Sequence, residues 1–528
     1  MGEATSLIKS SWVFAIESSP GQSSAENLAP TTADSLGGRI QIRWDESCEA
    51  TPHGQIVFFA EFLATTGIFD AWVASCPLEY TSHNAPAKRD VLGTLLLSIL
   101  AGNRRYAHIT GLRGDGIVAK ALGMKKLLSA DAVRRALSRM DADTSESWLQ
   151  PHLSRSVTPA LDTSWILDLD ATIKPLYGHQ EGADISYNPH KPGRPSHALH
   201  TYWVSGLRMV LDVLLKPGND HAASHGAARL TEILHALTPE QRPAWVRGDC
   251  GYGNQPLMEV CEQISPPQPY LYRLRQTSNV KKLLTRLMTN TDWTQATRFS
   301  KGFEAIASKL RLDGWTHERR VIVLRRSVAD ESAKHIDTHT PKQLSLPYTS
   351  VDMVDGKRWE FTILVTNSEQ ELGAMGQLYR DRCDCENGFD ELKNQWGWGG
   401  FTTQDLGRNQ TVARIIALVY NWWSWYARAA NPQARLEAST SRPLLLAAIG
   451  RVIHHAGQTV LCLTPMHADT NTIKAMIGNI AAALQHVRNT AQQLKIADPW
   501  HRFVRYVCDK ILAHGRPPEP LCPILTTS

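Results

Sequence analysis

At 528 residues the chain exceeds what one compact core usually organises, and its length implies roughly two to four domains. Hydrophobic residues make up 42% and charged residues 20%, so large cores are available, and nine scattered cysteines without paired CxxC motifs exclude a zinc ribbon or disulfide framework and point to a reducing cytoplasm. The net charge of +5 permits a nucleic-acid partner without demanding one, because such binding depends on clustered rather than averaged charge.

Residues 1–35 are rich in Ser, Ala, Pro and Thr and lack periodicity, which predicts a flexible arm. The opening MGEATSLIKSSW has no apolar secretory segment. From 36 to 155 the pattern is helical, with an apolar helix at 89–101. Its run Leu92–Ala101 is far short of the ~20 residues that span a bilayer, so a soluble cytoplasmic protein with no membrane partner is expected. Residues 128–140 form a short helix with Ser129 as N-cap and Arg134, Arg135 and Arg139 along it, with Arg104 and Arg105 adding charge nearby. This region reads either as a DNA-binding unit or as a solvated basic surface.

Residues 164–170 (SWILDLD) read as a buried strand ending in Asp168 and Asp170. Two further strands fill 198–215 with a turn near Gly206, and a helix covers 223–237. Trp245–Asp249 is a second strand ending in an acid, followed by the turn Cys250–Asn254 and a helix over 256–264. Strands followed by alternating strand and helix predict an α/β domain with a mixed sheet, its first part spanning 160–275. Residues 276–370 carry short β-like runs such as 319–325 and 359–366 between polar loops, and read as a β-rich insertion. Residues 371–430 return to helical periodicity and end in the aromatic helix 410–428; 431–515 stay helical, and 516–528 are a loose Pro-rich tail.

Tyr379, Arg382, Glu386 and Lys393 are spaced by 3, 4 and 7 residues, which places all four on one stripe of a helix. Alone, this stripe fits either an exposed face with i,i+4 ion pairs or a metal-binding carboxylate flanked by phosphate-binding cations. Asp249 lies 79 residues (249 − 170) after Asp170, and Glu386 lies 137 (386 − 249) after Asp249. Three such acids can hold two divalent ions roughly 3.5–4 Å apart, which activate a water or 3′-hydroxyl for in-line attack on a phosphodiester. Carboxylates suit hard ions such as Mg²⁺. A two-carboxylate hydrolase such as a glycosidase also pairs acids, but would leave Arg382 and Lys393 without a role. The segment 177–197, punctuated by Gly and Pro, carries His179, His190, Lys191, Arg194 and His197. It reads as a basic loop lining a DNA channel or as a plain surface loop.

The strings LDLDAT (167–172), YGHQEGADISYNPHKPGRPSH (177–197), PGNDH (217–221), VRGDCGYGN (246–254) and ENGFDELKNQWGWGGFTTQ (386–404) give the chain a specific resemblance. It resembles the DDE transposases of bacterial insertion sequences. The similarity is to the IS-four superfamily, marked by Tyr-x2-Arg-x3-Glu-x6-Lys, and within it to the IS-thirteen-eighty family. It covers about 90–430.

The resemblance implies an RNase H-like mixed sheet with flanking helices, interrupted by a β-rich insertion, between helical N- and C-terminal regions. It implies Asp170, Asp249 and Glu386 as catalytic ligands of two Mg²⁺ ions, with Mn²⁺ as a substitute. Asp170 takes the first place over the weaker candidate Asp168 because the family pattern is Asp-x-Thr, here Asp170-Ala171-Thr172. Tyr379, Arg382 and Lys393 would grip the phosphate at the 5′ end of the transposon strand, and Lys191 and Arg194 would contact DNA. Trp359 is either a stacking platform for a flipped base or a core residue. The implied activity is endonuclease cleavage and strand transfer in DNA recombination of a mobile element. The implied partners are double-stranded DNA ends and target DNA, and a second copy bound through 431–515, on a bacterial nucleoid. A catalytically inactive, transposase-derived DNA-binding protein is the alternative.

Overall fold

The computed structural model describes residues 31–45, 48–186, 188, 191–289, 292–295, 303–328, 351–354, 357–465, 469–493 and 498–513. Most of the expected arm (1–30), His190 and the expected tail 516–528 lie outside these residues. Residues 1–49 form a unit of their own. Within it β1 (Thr31–Ser35) and β2 (Gly38–Ile42) pair as an antiparallel hairpin, so the end of the expected arm is a strand. Ser35 Oγ donates to the Gly38 carbonyl at 2.7 Å across the turn.

The second unit, from Ala50 onward, opens with β3 (Ala50–Thr51) and a helical region. Its helices are α1 (Ile56–Thr66), α2 (Ile68–Ala74), α3 (Lys88–Leu100), α4 (Val118–Ala121), α5 (Ala130–Leu137) and α6 (Ala142–Arg155). Ser129 caps α5 as expected, its hydroxyl accepting from Ala132 N at 3.2 Å. Among the described residues no single helix is long and apolar enough to cross a membrane.

The centre is an eleven-stranded mixed sheet. Its first strands are β4 (Ile166–Pro175), the short β5 (Asp184–Ile185), β6 (Pro195–Ser205) and β7 (Met209–Pro217). After α7 (Ala222–Ala236) comes β8 (Trp245–Gly248), then α8 (Gln255–Gln263) and β9 (Tyr270–Arg273). β4, β6 and β7 pair antiparallel, whereas β4, β8 and β9 pair parallel. β4 outlasts the expected strand by five residues, because β6 continues to pair with it as far as Pro175 after β8 has stopped.

The region read as an insertion begins with a helix, α9 (Ser278–Met288), whose Val280, Leu283, Leu284 and Leu287 form a buried stripe at helical spacing. The strands that follow extend the central sheet. They are β10 (Thr294–Gln295), β11 (Phe303–Leu310), β12 (Arg319–Val328), β13 (Val351–Val354) and β14 (Lys357–Thr366), and β14 pairs antiparallel with β9. Two helices, α10 (Leu372–Arg380) and α11 (Cys383–Gln395), then replace the single expected one, with a break at Asp381–Arg382. The 25-residue α12 (Leu406–Ala430) is buried over almost its whole length, packing against α6 on one side and β7 on the other.

The remaining elements are α13 (Ala438–Leu445), β15 (Gly450–His455), β16 (Gln458–Leu463), α14 (Thr470–Gln493) and α15 (Pro499–Ala513). The hairpin β15–β16 interrupts a region expected to be wholly helical. Its two-residue turn, Ala456-Gly457, has φ of +48° and +76°, as the tight turn that joins twisted antiparallel strands requires. Gly457 and the alternating Val452, His454, Val460 and Cys462 were the signal.

Candidate active site

The site is built on the parallel register of β4 and β8. Asp168 sits opposite Arg247 and Leu169 opposite Gly248, an offset of 79 residues. The same offset separates Asp170 from Asp249, so the next step of the register sets these two carboxylates side by side just where β8 ends. Asp249 then turns the chain: its Oδ1 accepts from Gly251 N at 2.8 Å.

Asp170 is 8% exposed. Its Oδ1 accepts from Ala171 N at 2.8 Å, and its Oδ2 accepts from the Cys385 thiol at 3.4 Å. Arg382 Nη2 lies 2.8 Å from the same Oδ2. Burial pushes the Asp170 carboxyl up to about 6, with Arg382 pulling it down and the neighbouring Asp249 adding to the rise. Burial opposes the charge on Arg382, but Asp170 and the surrounding groups more than offset it and hold the guanidinium charged. Arg382 Nε has no hydrogen-bond partner, so this buried fork has donors to spare.

Tyr379 and Lys393 border the same space. Burial raises the Tyr379 phenol to about 12, while Arg382 and Arg273 act against the rise. Burial lowers the Lys393 ammonium, and Asp390 and Asp170 act in the opposite sense. Asp170, Asp249, Tyr379, Arg382 and Lys393 therefore share one electrostatic environment.

Glu386 differs in exposure. Its side chain is exposed on α11, one residue past the inward-facing Cys385. The break at Asp381–Arg382 puts Tyr379 on α10 and Glu386 on α11, so the expected stripe does not lie on one continuous helix, and the Cys385 thiol is the α11 group that meets Asp170. Among the described residues no three His, Cys, Asp or Glu side chains converge closely enough to hold a metal ion. The donor chemistry nonetheless fits a hard divalent cation. The buried Asp170 lies within electrostatic reach of the half-exposed Asp249, negative charge there favours a counter-ion, and Arg382 supplies that charge here.

Asp168, the weaker candidate, is engaged elsewhere. It is fully buried and paired through both oxygens with Arg247, Nε to Oδ1 and Nη2 to Oδ2 at 2.7 Å each. Arg247 also donates to the Leu378 carbonyl and, at 3.2 Å, to Ser205 Oγ, which ties β8 and β4 to α10. Arg247 and Cys385 are the neighbours that the sequence reading missed. Cys385, three residues after Arg382, carried a helical signal; Arg247 carried none until the strand register was known.

Around the site, Lys191 and Arg194 are exposed and lie over the Tyr177 ring at 4.9 and 4.6 Å. His197, by contrast, is buried against the Glu181 carbonyl. Trp359 is half-buried, and Arg325 is held between it and Trp293, 4.4 and 3.9 Å from the two ring centres. That stacking occupies one face of the half-buried Trp359 ring.

The sequence places this mixed sheet, with its neighbouring aspartates and buried arginine, in a family. The family model for the group 1 transposase DDE domain matches residues 46–485, and the chain belongs to that family. No curated protein matches the sequence. Among solved structures, the piggyBac transposase in a synaptic complex with hairpin DNA is similar at 11% identity and a TM-score of 0.38, over 89% of this chain and 87% of that one.

Proposed function

We propose that this transposase binds the terminal inverted repeats of its own insertion sequence, cleaves them, and joins the freed 3′-hydroxyls to target DNA. The observation that carries the reading is the β4–β8 register, which brings Asp170 beside Asp249 under the Arg382 guanidinium. The order β7-β6-β4-β8-β9, three antiparallel strands followed by two parallel ones, supports an RNase H-like core extended by the 276–370 segment.

Asp170, Asp249 and Glu386 would hold two Mg²⁺ ions, or Mn²⁺ in their place, which when bound activate the attacking oxygen and stabilise the leaving one. Glu386 would contribute the third carboxylate from α11, where its side chain is exposed. Arg382 releases Asp170 and offers its fork to the phosphate beside the cut, Lys393 adds a point charge, and Tyr379 donates a hydrogen bond. Lys191 and Arg194 contact the flanking backbone. Because two ends must be held together, the working form is a homodimer on duplex DNA.

Asp249→Asn tests the reading. It should retain binding to a labelled inverted repeat and lose Mg²⁺-dependent nicking by at least two orders of magnitude; normal nicking by this variant overturns the assignment. A wild-type protein that binds the repeat without nicking it under any divalent ion would instead be an inactive DNA-binding derivative.

A further inference from the structure

A second cationic groove lies away from the two aspartates. It measures about 640 Å³ and is formed where α5, the start of α12, residues 402–405 and Gln180 meet. Arg134, Arg135 and Arg408 line it together with Gln180 and Thr403, and no aromatic or aliphatic side chain contributes. Such a lining offers nothing to an apolar ligand and many donors to an anion.

The acids at its edge are already engaged. Asp131 pairs with Arg134, and Asp405 Oδ1 caps α12 by accepting from Arg408 N at 2.6 Å. Arg135 and Arg408 have no ion-pair partner among the described residues, and Arg408 Nε has no hydrogen-bond partner. Two guanidinium forks without a carboxylate in one open groove are suited to phosphate.

The walls of the groove continue from the site. Gln180 follows β4, the strand of Asp170, and residues 402–405 follow α11, the helix of Glu386. The walls are joined where Glu181 N donates to the Gln404 carbonyl at 2.9 Å and Leu406 N donates to Glu181 Oε2 at 3.0 Å. Exposed Arg104 and Arg105 extend the positive surface, and the Arg104 carbonyl accepts from Phe401 N at 2.8 Å. Charge spread along an open groove suits a polyanion better than a single enclosed ion.

We propose that this groove grips the sugar–phosphate backbone of duplex DNA beyond the point of cleavage, acting as a sequence-independent clamp. The proposal rests on the transposase reading above. Its test compares full-length wild type with Arg135→Ala/Arg408→Ala and with the exposed-site variant Arg135→Glu, by fluorescence anisotropy on a short duplex across a salt series. Loss of two phosphate contacts should lower the slope of log affinity against log salt by about 1.8, at about 0.9 per contact. Arg135→Glu should weaken binding at every salt concentration while melting at the wild-type temperature. A wild-type slope in the double variant and wild-type affinity in Arg135→Glu overturn the clamp. Saturable binding of inorganic phosphate that duplex DNA does not displace assigns the groove to a free anion and also overturns it. Failure of the wild type itself to bind any duplex at low salt would instead remove the transposase reading on which the clamp depends.

Discussion

Two buried arginine–aspartate pairs sit on neighbouring positions of one strand face, and they differ in what they leave unsatisfied. Asp168 and Arg247 exchange two aligned bonds, and Arg247 spends its remaining donors on Leu378 and Ser205. Arg382 meets Asp170 at one oxygen and keeps Nε without a partner. The first pair is therefore a structural tie, and the second leaves a buried donor unsatisfied. Asp168→Asn should leave Arg247 buried and uncompensated and cost about 3–5 kcal/mol, read as a lowered urea midpoint. Asp249→Asn, at a half-exposed position, should leave that midpoint within about 0.5 kcal/mol of wild type. Equal destabilisation by the two substitutions would contradict this division. Asp170 and Asp249 were legible in the sequence because each closes a short apolar run. The Asp168–Arg247 pair was not, because a lone arginine in a strand gives no sign of its partner until the parallel register fixes an offset of 79.

At the scale of elements, the break between α10 and α11 separates Tyr379 from Glu386. Periodicity extrapolated across Asp381–Arg382 predicts one continuous helix; the chain forms two, joined by a turn at those residues. α11 is then fixed by close packing. A Cβ on Gly388 would overlap the Trp203 indole of β6, so only glycine allows this helix to lie so near the sheet. Gly388→Val should push α11 outward, reducing DNA nicking at least tenfold while duplex binding, measured by anisotropy, stays within threefold. Unchanged nicking would show that the position of α11 does not control the site. The other elements misread from sequence share a cause. The helix at 278–288 and the hairpin at 450–463 are short local patterns inside regions averaged over a longer window.

Across the whole molecule, buried and half-buried histidines weigh on the response to acid. Burial lowers the His200 imidazole to about 3 and His152 to about 4, and lowers His53, His197 and His225 as well. In the unfolded chain these groups take a proton near pH 6.5, so their contribution is intact above that value and is lost as the pH falls toward the folded values. Each fully desolvated histidine contributes a slope of up to ~1.4 kcal/mol per pH unit. Asp170, held at about 6 when folded, acts in the opposite direction between about 6 and its ordinary value, but it is one group against five. The urea midpoint should therefore fall steadily from pH 7 to pH 5, and a flat or rising midpoint would contradict this account. His200→Asn should flatten the decline.

The long helix α12 carries a consequence for any attempt to divide this enzyme. Trp422 packs edge-on against Trp72 of α2, Thr411 bonds Ser145 of α6 at 2.9 Å, and Asn421 bonds both the β7 backbone at Val210 and Ser156. Among the described residues the N-terminal helices and the central sheet thus share one core through α12. A fragment that began at β4 would leave the α12 tryptophans without their N-terminal partners, so exchange between relatives would have to proceed by surface residues rather than by whole modules.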